Sequence, residues 1–132
     1  TNNCIDLFQE MKLACLLQRA VHCDPMVVKA EDALKMATMG GATLLGMDSD
    51  IGSIEIGKKA DLIIVNFEKP HLYPKTNLFS HLVYSARASD VDTTIVEGKI
   101  LMKNRKVLTM NEASVLKEAQ EAYESISSKR VI

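Results

Sequence analysis

The sequence is poor in the features that usually announce a function. Its three cysteines, Cys4, Cys15 and Cys23, are an odd number without compact spacing. That argues against a disulfide-stapled secreted domain and fits a reducing cytoplasm. An excess of one charge is missing too: the formal net charge is −1, which leaves no electrostatic case for nucleic acid or an anionic membrane. No apolar run is long enough to span a bilayer, and no secretory signal pattern is present. Internal repeats and low-complexity segments are absent as well.

Catalytic signatures are equally scarce. His22, His71 and His81 stand far apart and form no His-x-His or His-x-x-x-His pair, whereas catalytic zinc takes closely set ligands and an open position for water. Cys15, His22 and Cys23 come nearest to a metal cluster, since positions 15 and 22 share a helical face. Their spacing matches no zinc motif, and a buried Cys packing as a small hydrophobe is the simpler reading. Gly52 and Gly57-Lys58 imitate a P-loop. However, Lys59 stands where Ser or Thr is needed, and the strand comes after the loop rather than before it. Ser80, His81 and Asp90 have the residue types of a triad but lack a nucleophile elbow. No residue is therefore assigned a catalytic or metal-ligating role.

What is present is a globular composition. The chain has 132 residues, 47% hydrophobic and 25% charged, enough for one domain with a real core. Residues 5–21 read as a helix with Asn3 as N-cap and Asp6 in the first turn. Phe8, Met11 and Cys15 form one stripe; Leu13, Leu16, Leu17 and Ala20 form another. A helix this apolar is expected to be covered on more than one side. A second helix is expected over 30–45, with Gly46 as its C′ residue and Ala33, Ala37 and Gly41 as a small-residue face. Gly40-Gly41 weakens it by about 1 kcal/mol per Gly relative to Ala.

Beyond Gly46 the character changes. Residues 52–57 read as a short extended piece closed by a turn, and 60–67 as a buried strand. Pro70 and Pro74 mark a loop. Residues 77–85 predict a short helix with Leu78, Leu82 and Val83 inward. Residues 93–96 and 99–102 predict a hairpin around Glu97-Gly98, followed by a polar turn at 103–106 that leads to Val107-Leu108. A last helix from Asn111 or Thr109 to about 126 puts Ala113, Leu116, Ala119, Ala122, Tyr123 and Ile126 on its inner side. Two helices, a strand-rich region and a terminal helix make an α+β chain, not a self-contained barrel or doubly wound domain.

Several of these segments resemble a known family. Thr38, Ala42 through Gly46, the run Gly52-Ser53-Ile54-Glu55-Ile56-Gly57-Lys58-Lys59-Ala60-Asp61-Leu62-Ile63 and the later Val96-Glu97-Gly98-Lys99-Ile100-Leu101 carry the likeness. They resemble the region where a member of the amidohydrolase superfamily leaves its (β/α)8 barrel and re-enters its small β-sandwich. Thr1-Asn2-Asn3, Phe8-Gln9-Glu10-Met11-Lys12-Leu13-Ala14 and His81-Leu82-Val83-Tyr84-Ser85-Ala86 are similar to the 5-methylthioadenosine/S-adenosylhomocysteine deaminase branch, one of the chlorohydrolase-like aminohydrolases.

The resemblance implies a C-terminal fragment in three parts: the last barrel helices over 1–48, the C-terminal share of a composite β-sandwich over 49–110, and a C-terminal helix over 111–132. It implies a cytoplasmic parent enzyme in which a divalent metal, zinc in this branch, activates water. The water attacks an amino-bearing ring carbon of an adenosine derivative or related amino-heterocycle, and ammonia leaves. The branch's ligands are an early His-x-His, two further histidines and an Asp ahead of the position of Thr1. No residue here matches them, so the fragment alone is expected to hold no metal and to be inactive. Asn2 and Asn3 match the loop after that Asp and are the substrate-loop residues the resemblance supplies. The partners it implies are the remainder of the parent chain and the parent's small-molecule substrate. The fragment by itself is expected to self-associate. The competing reading is a stand-alone, non-enzymatic binding or interaction domain, which the scarce polar surface of the first helix speaks against.

Overall fold

The computed structural model describes residues 3–128. Helix α1 (Leu7–His22) begins where a carboxylate satisfies its first free N–H groups. Asp6 Oδ1 accepts from the N–H of Phe8 at 3.0 Å and of Gln9 at 3.4 Å. The cap is therefore Asp6 and not Asn3, which lies ahead of the helix. At the other end Cys23 takes a left-handed φ of 49° and returns its N–H to Arg19 O.

The helix expected over 30–45 has that extent but is not uniform. It runs as α2 (Ala30–Lys35), a π-helical segment (Met36–Gly40) and α3 (Gly41–Leu44). The N–H of Gly41 reaches back to Met36 O. Two local features favour the wider turn. The Thr38 hydroxyl donates to Leu34 O at 2.8 Å, and the Gly pair holds α geometry weakly. The end is a Schellman motif: Gly46, at φ +66°, donates to Thr43 O, and Met47 donates to Ala42 O.

The strands β1 (Leu62–Val65), β2 (Val91–Val96), β3 (Lys99–Lys103) and β4 (Lys106–Val107) form an antiparallel meander in that order. Its two tight turns have positive φ at both central residues, Glu97-Gly98 and Asn104-Arg105, which suits the right-handed twist of the strands they join. The run 60–67 is shorter as a strand than expected, and less buried. As the edge strand β1 it leaves Ile63 and Ile64 half exposed. Residues 52–57 form turns rather than an extended piece, with Gly52 and Gly57 both at positive φ.

Residues 66–90 connect β1 to β2 by way of the helices. This crossover carries 3₁₀ turns at Pro70–Leu72 and Ala88–Asp90, the single turn α4 (Leu78–Ser80) and a π turn (His81–Ser85). Asn77 caps α4, its Oδ1 accepting from Ser80 N–H at 3.0 Å. Val83 is fully buried and Leu82 packs against the core, but Leu78 points outward. The π turn after Ser80 shifts the helical face, so Leu78 no longer shares one with Val83. The core is built jointly. Phe8, Met11, Cys15, Ala30 and Ala33 come from the helices, Leu72, Val83 and Ala86 from the crossover, and Val91 from the sheet.

Helix α5 (Glu112–Ser128) is capped by Asn111, whose Oδ1 accepts from Ser114 N–H at 3.1 Å. Its expected inner residues Ala113, Leu116, Ala119, Ala122, Tyr123 and Ile126 are all exposed. The periodic stripe forms as expected but meets no covering element among the described residues.

Candidate functional site

The helices and the crossover leave an open cleft of about 600 Å³ between them. Cys4, Gln9 and Lys12 line one wall, and His71, Tyr84 and Arg87 the other. Beside it sits a hydrogen-bonded pair whose acid is buried and whose imidazole is partly exposed. Asp90 is 3% exposed, and its Oδ2 accepts from His71 Nε2–H at 2.8 Å and from Arg87 N–H at 3.0 Å. On the inner side Arg19 stacks 5.3 Å from the Tyr84 ring centre and donates to the carbonyls of Val27 and Val28. The Tyr84 phenol is raised above its ordinary range, first by burial and then by the neighbouring Cys15 thiol.

The candidates singled out in the sequence do not assemble. Cys15 is buried in the core, while His22 and Cys23 are exposed, and Cys23 Sγ–H turns back to Ala20 O at 3.7 Å. Among the described residues no three His, Cys, Asp or Glu side chains gather to hold a metal ion. These residues therefore do not fit the metal that the family resemblance implies. His81 Nε2 lies 3.0 Å from Pro74 O, and the acid imagined beside it, Asp90, belongs to His71. That pairing carries no sequence signal, because the crossover brings the two residues together. The P-loop imitation is a closed turn. Lys58 Nζ donates to Asp48 O and Ser53 Oγ, each at 2.7 Å, and pairs with Glu55 at 3.5 Å. Its charge is spent on its own loop rather than offered to a phosphate. Asn2 lies outside the described residues; Asn3 is exposed just ahead of α1.

An α+β chain with this motif run, and with no assembled metal site among the described residues, has a clear place among known proteins. The chain belongs to the amidohydrolase family, whose model matches residues 1–101. It is 48% identical over 116 residues to the 5-methylthioadenosine/S-adenosylhomocysteine deaminase of Thermoanaerobacter pseudethanolicus, covering 88% of this chain and 27% of that protein. It is 48% identical over 129 residues to the 5′-deoxyadenosine deaminase of Methanosarcina mazei, covering 98% of this chain and 29% of that protein. Among solved structures, an adenosine deaminase from Xanthomonas campestris with bound zinc superposes with a TM-score of 0.89 at 33% identity, over 92% of this chain and 28% of that one. The zinc-bound atrazine chlorohydrolase of Arthrobacter aurescens superposes at 0.77 over 86% of this chain and 25% of that one. At 21% identity that likeness is one of fold alone. The chain thus spans less than a third of the length of these relatives.

Proposed function

We propose that the whole protein is a metal-dependent aminohydrolase that removes ammonia from an adenosine derivative, and that this chain is its C-terminal scaffold. The observation that carries the reading is identity near one half over nearly the whole chain to proteins named as deaminases of adenosine derivatives. The zinc in the Xanthomonas structure supports a divalent metal in the whole enzyme. Its ligands belong to the part of the protein outside these residues. In this reading residues 1–48 are the last helices of the barrel, 49–110 the C-terminal share of the sandwich, and 111–132 the closing helix. Asn2 and Asn3 shape the substrate mouth. The exposed face of α1, with Leu13, Leu16 and Leu17, then packs against the rest of the barrel. The compartment that fits is the cytoplasm. Among the described residues no helix is long and apolar enough to cross a membrane.

A chimera tests this directly. The segment of the Thermoanaerobacter deaminase that this chain matches is replaced by the chain, and the product is loaded with zinc, manganese or iron. Release of ammonia from 5′-methylthioadenosine, S-adenosylhomocysteine or 5′-deoxyadenosine is the expected result. A folded, metal-loaded chimera active only on guanine or a chlorotriazine would place the chain in another branch. One inactive on every amino-heterocycle would remove the proposal.

A further inference from the structure

One carboxylate joins the start of α1 to a turn far away in sequence. While Asp6 Oδ1 caps the helix, its second oxygen, Oδ2, accepts from the N–H of Ala88 at 3.3 Å. The turn that receives it is held from its other sides. Arg87 N–H and His71 Nε2–H both donate to Asp90 Oδ2, at 3.0 and 2.8 Å. Arg105 Nη1 donates to the carbonyls of Ala88 and Val91, each at 3.1 Å. The turn is thus fixed to the sheet by Arg105 and to the earlier 3₁₀ turn of the crossover by His71. It is a rigid post, and Asp6 ties the segment ahead of α1 to it. Cys4 on that segment and Arg87 on the post both line the cleft.

We propose that Asp6 is a positioning residue of the whole enzyme, clamping the stretch that runs from Asn3 into α1 onto the turn at 87–90. The proposal rests on the deaminase reading above, in which that stretch borders the substrate mouth. A plain N-cap needs one oxygen, and Asn serves there as well as Asp. The second oxygen does different work: it bridges two parts of the chain that local structure would leave independent.

Two substitutions delete this bond from opposite sides and spare the cap. Asp6→Asn keeps a capping oxygen but turns an NH₂ group toward the Ala88 N–H, setting donor against donor. Ala88→Pro removes the N–H itself. Ala88 is the first residue of its 3₁₀ turn, a position that favours Pro. Arg87, at φ −135° and ψ 160°, already has the extended backbone that precedes Pro.

In the chimeric enzyme each single variant lowers kcat by about tenfold. KM, metal content and melting temperature stay close to those of the unsubstituted chimera. The double variant is no worse than either single, because both remove the same interaction. Unchanged kcat in the two single variants, or losses that multiply in the double, would overturn the proposal. A chimera inactive before any substitution counts against the deaminase reading and leaves the clamp to be judged in the 132-residue chain. There the Ala88 amide exchanges slowly, and Asp6→Asn accelerates it by about tenfold while the amides of Phe8 and Gln9 keep their protection. A fast Ala88 amide in the unsubstituted chain refutes the clamp.

Discussion

Replacing Asp90 with alanine removes the acceptor for two donors at once, His71 Nε2–H and Arg87 N–H. Leaving such groups unsatisfied beside a buried site costs about 2–3 kcal/mol, which urea unfolding of Asp90→Ala will read; a loss within 0.5 kcal/mol, the scale of an ordinary surface substitution, would show the pair to be idle. Gly52 is constrained differently. Its φ is +92°, and a Cβ there would stand 2.8 Å from Ala42 Cβ and 3.0 Å from Met39 Sδ. Gly52→Ala is expected to cost about 2–4 kcal/mol, combining backbone strain with overpacking; the midpoint of chemical denaturation checks it. How such residues were legible in the sequence differs case by case. Gly46 was readable as a C′ glycine because its role is local. Asn3 and Asp6 both have capping side chains, and composition alone does not choose between them. The choice falls to Asp6, whose second oxygen is engaged by Ala88, 82 residues away. The His71–Asp90 pair was illegible for the same reason.

At the scale of elements, the hairpin of β2 and β3 and the extents of α1 and α5 follow from period and turn chemistry, which the sequence displays openly. The π turns at Met36–Gly40 and His81–Ser85 do not, because one extra residue per turn leaves almost no trace in hydrophobic spacing. The outward Leu78 is a direct consequence. The crossover also contains a pH-sensitive knot. Lys75 and then Tyr73 donate to the Glu68 carboxylate, which holds its pKa below the usual range. A group depressed in the folded state adds stability above its unfolded pKa and loses it as pH falls through the folded one. Acidification through and below the ordinary Glu range should therefore loosen residues 68–76 first, seen as lowered amide protection there once intrinsic rates are divided out. Glu68→Gln should abolish that pH dependence; a dependence that survives the substitution would assign it to another group.

For the molecule as a whole, the prominent fact is uncovered apolar surface. Leu7, Leu13, Leu16, Leu17 and Val21 on α1, and Leu116, Tyr123 and Ile126 on α5, stand at least about half exposed. The apolar breadth of α1 in the sequence leads one to expect Phe8, Met11, Cys15, Leu16 and Leu17 uncovered; Leu16 and Leu17 are, whereas the crossover buries Phe8, Met11 and Cys15. The sequence also displayed the stripe on α5, though not that it would stay open. Each large side chain left in water forgoes about 1.5–3 kcal/mol of burial. The isolated chain is therefore expected to associate with itself, its average mass by light scattering rising with concentration. A monomer at every dilution would mean these faces are tolerated bare. The same isolated chain, dialysed and analysed by elemental methods, is expected to retain no stoichiometric zinc and to release no ammonia from adenosine-type substrates. One tightly held zinc per chain would require a site absent from the described residues.

The crossover between β1 and β2 also sets an order of events. Phe8, Met11 and Cys15 precede their cover, Leu72, Val83 and Ala86, by more than fifty residues, and β1 is made in between. Until then, of the described residues, only α2 and its neighbours lie beside the stripe of α1. Contacts between distant residues must wait for the chain between them to close. The helices and the sheet, though they look like separate layers, thus reach their final form together or not at all. A polypeptide that stops short of Leu72 therefore lacks the lid of its own first helix, and the stripe of Phe8, Met11 and Cys15 stays without the partners that bury it.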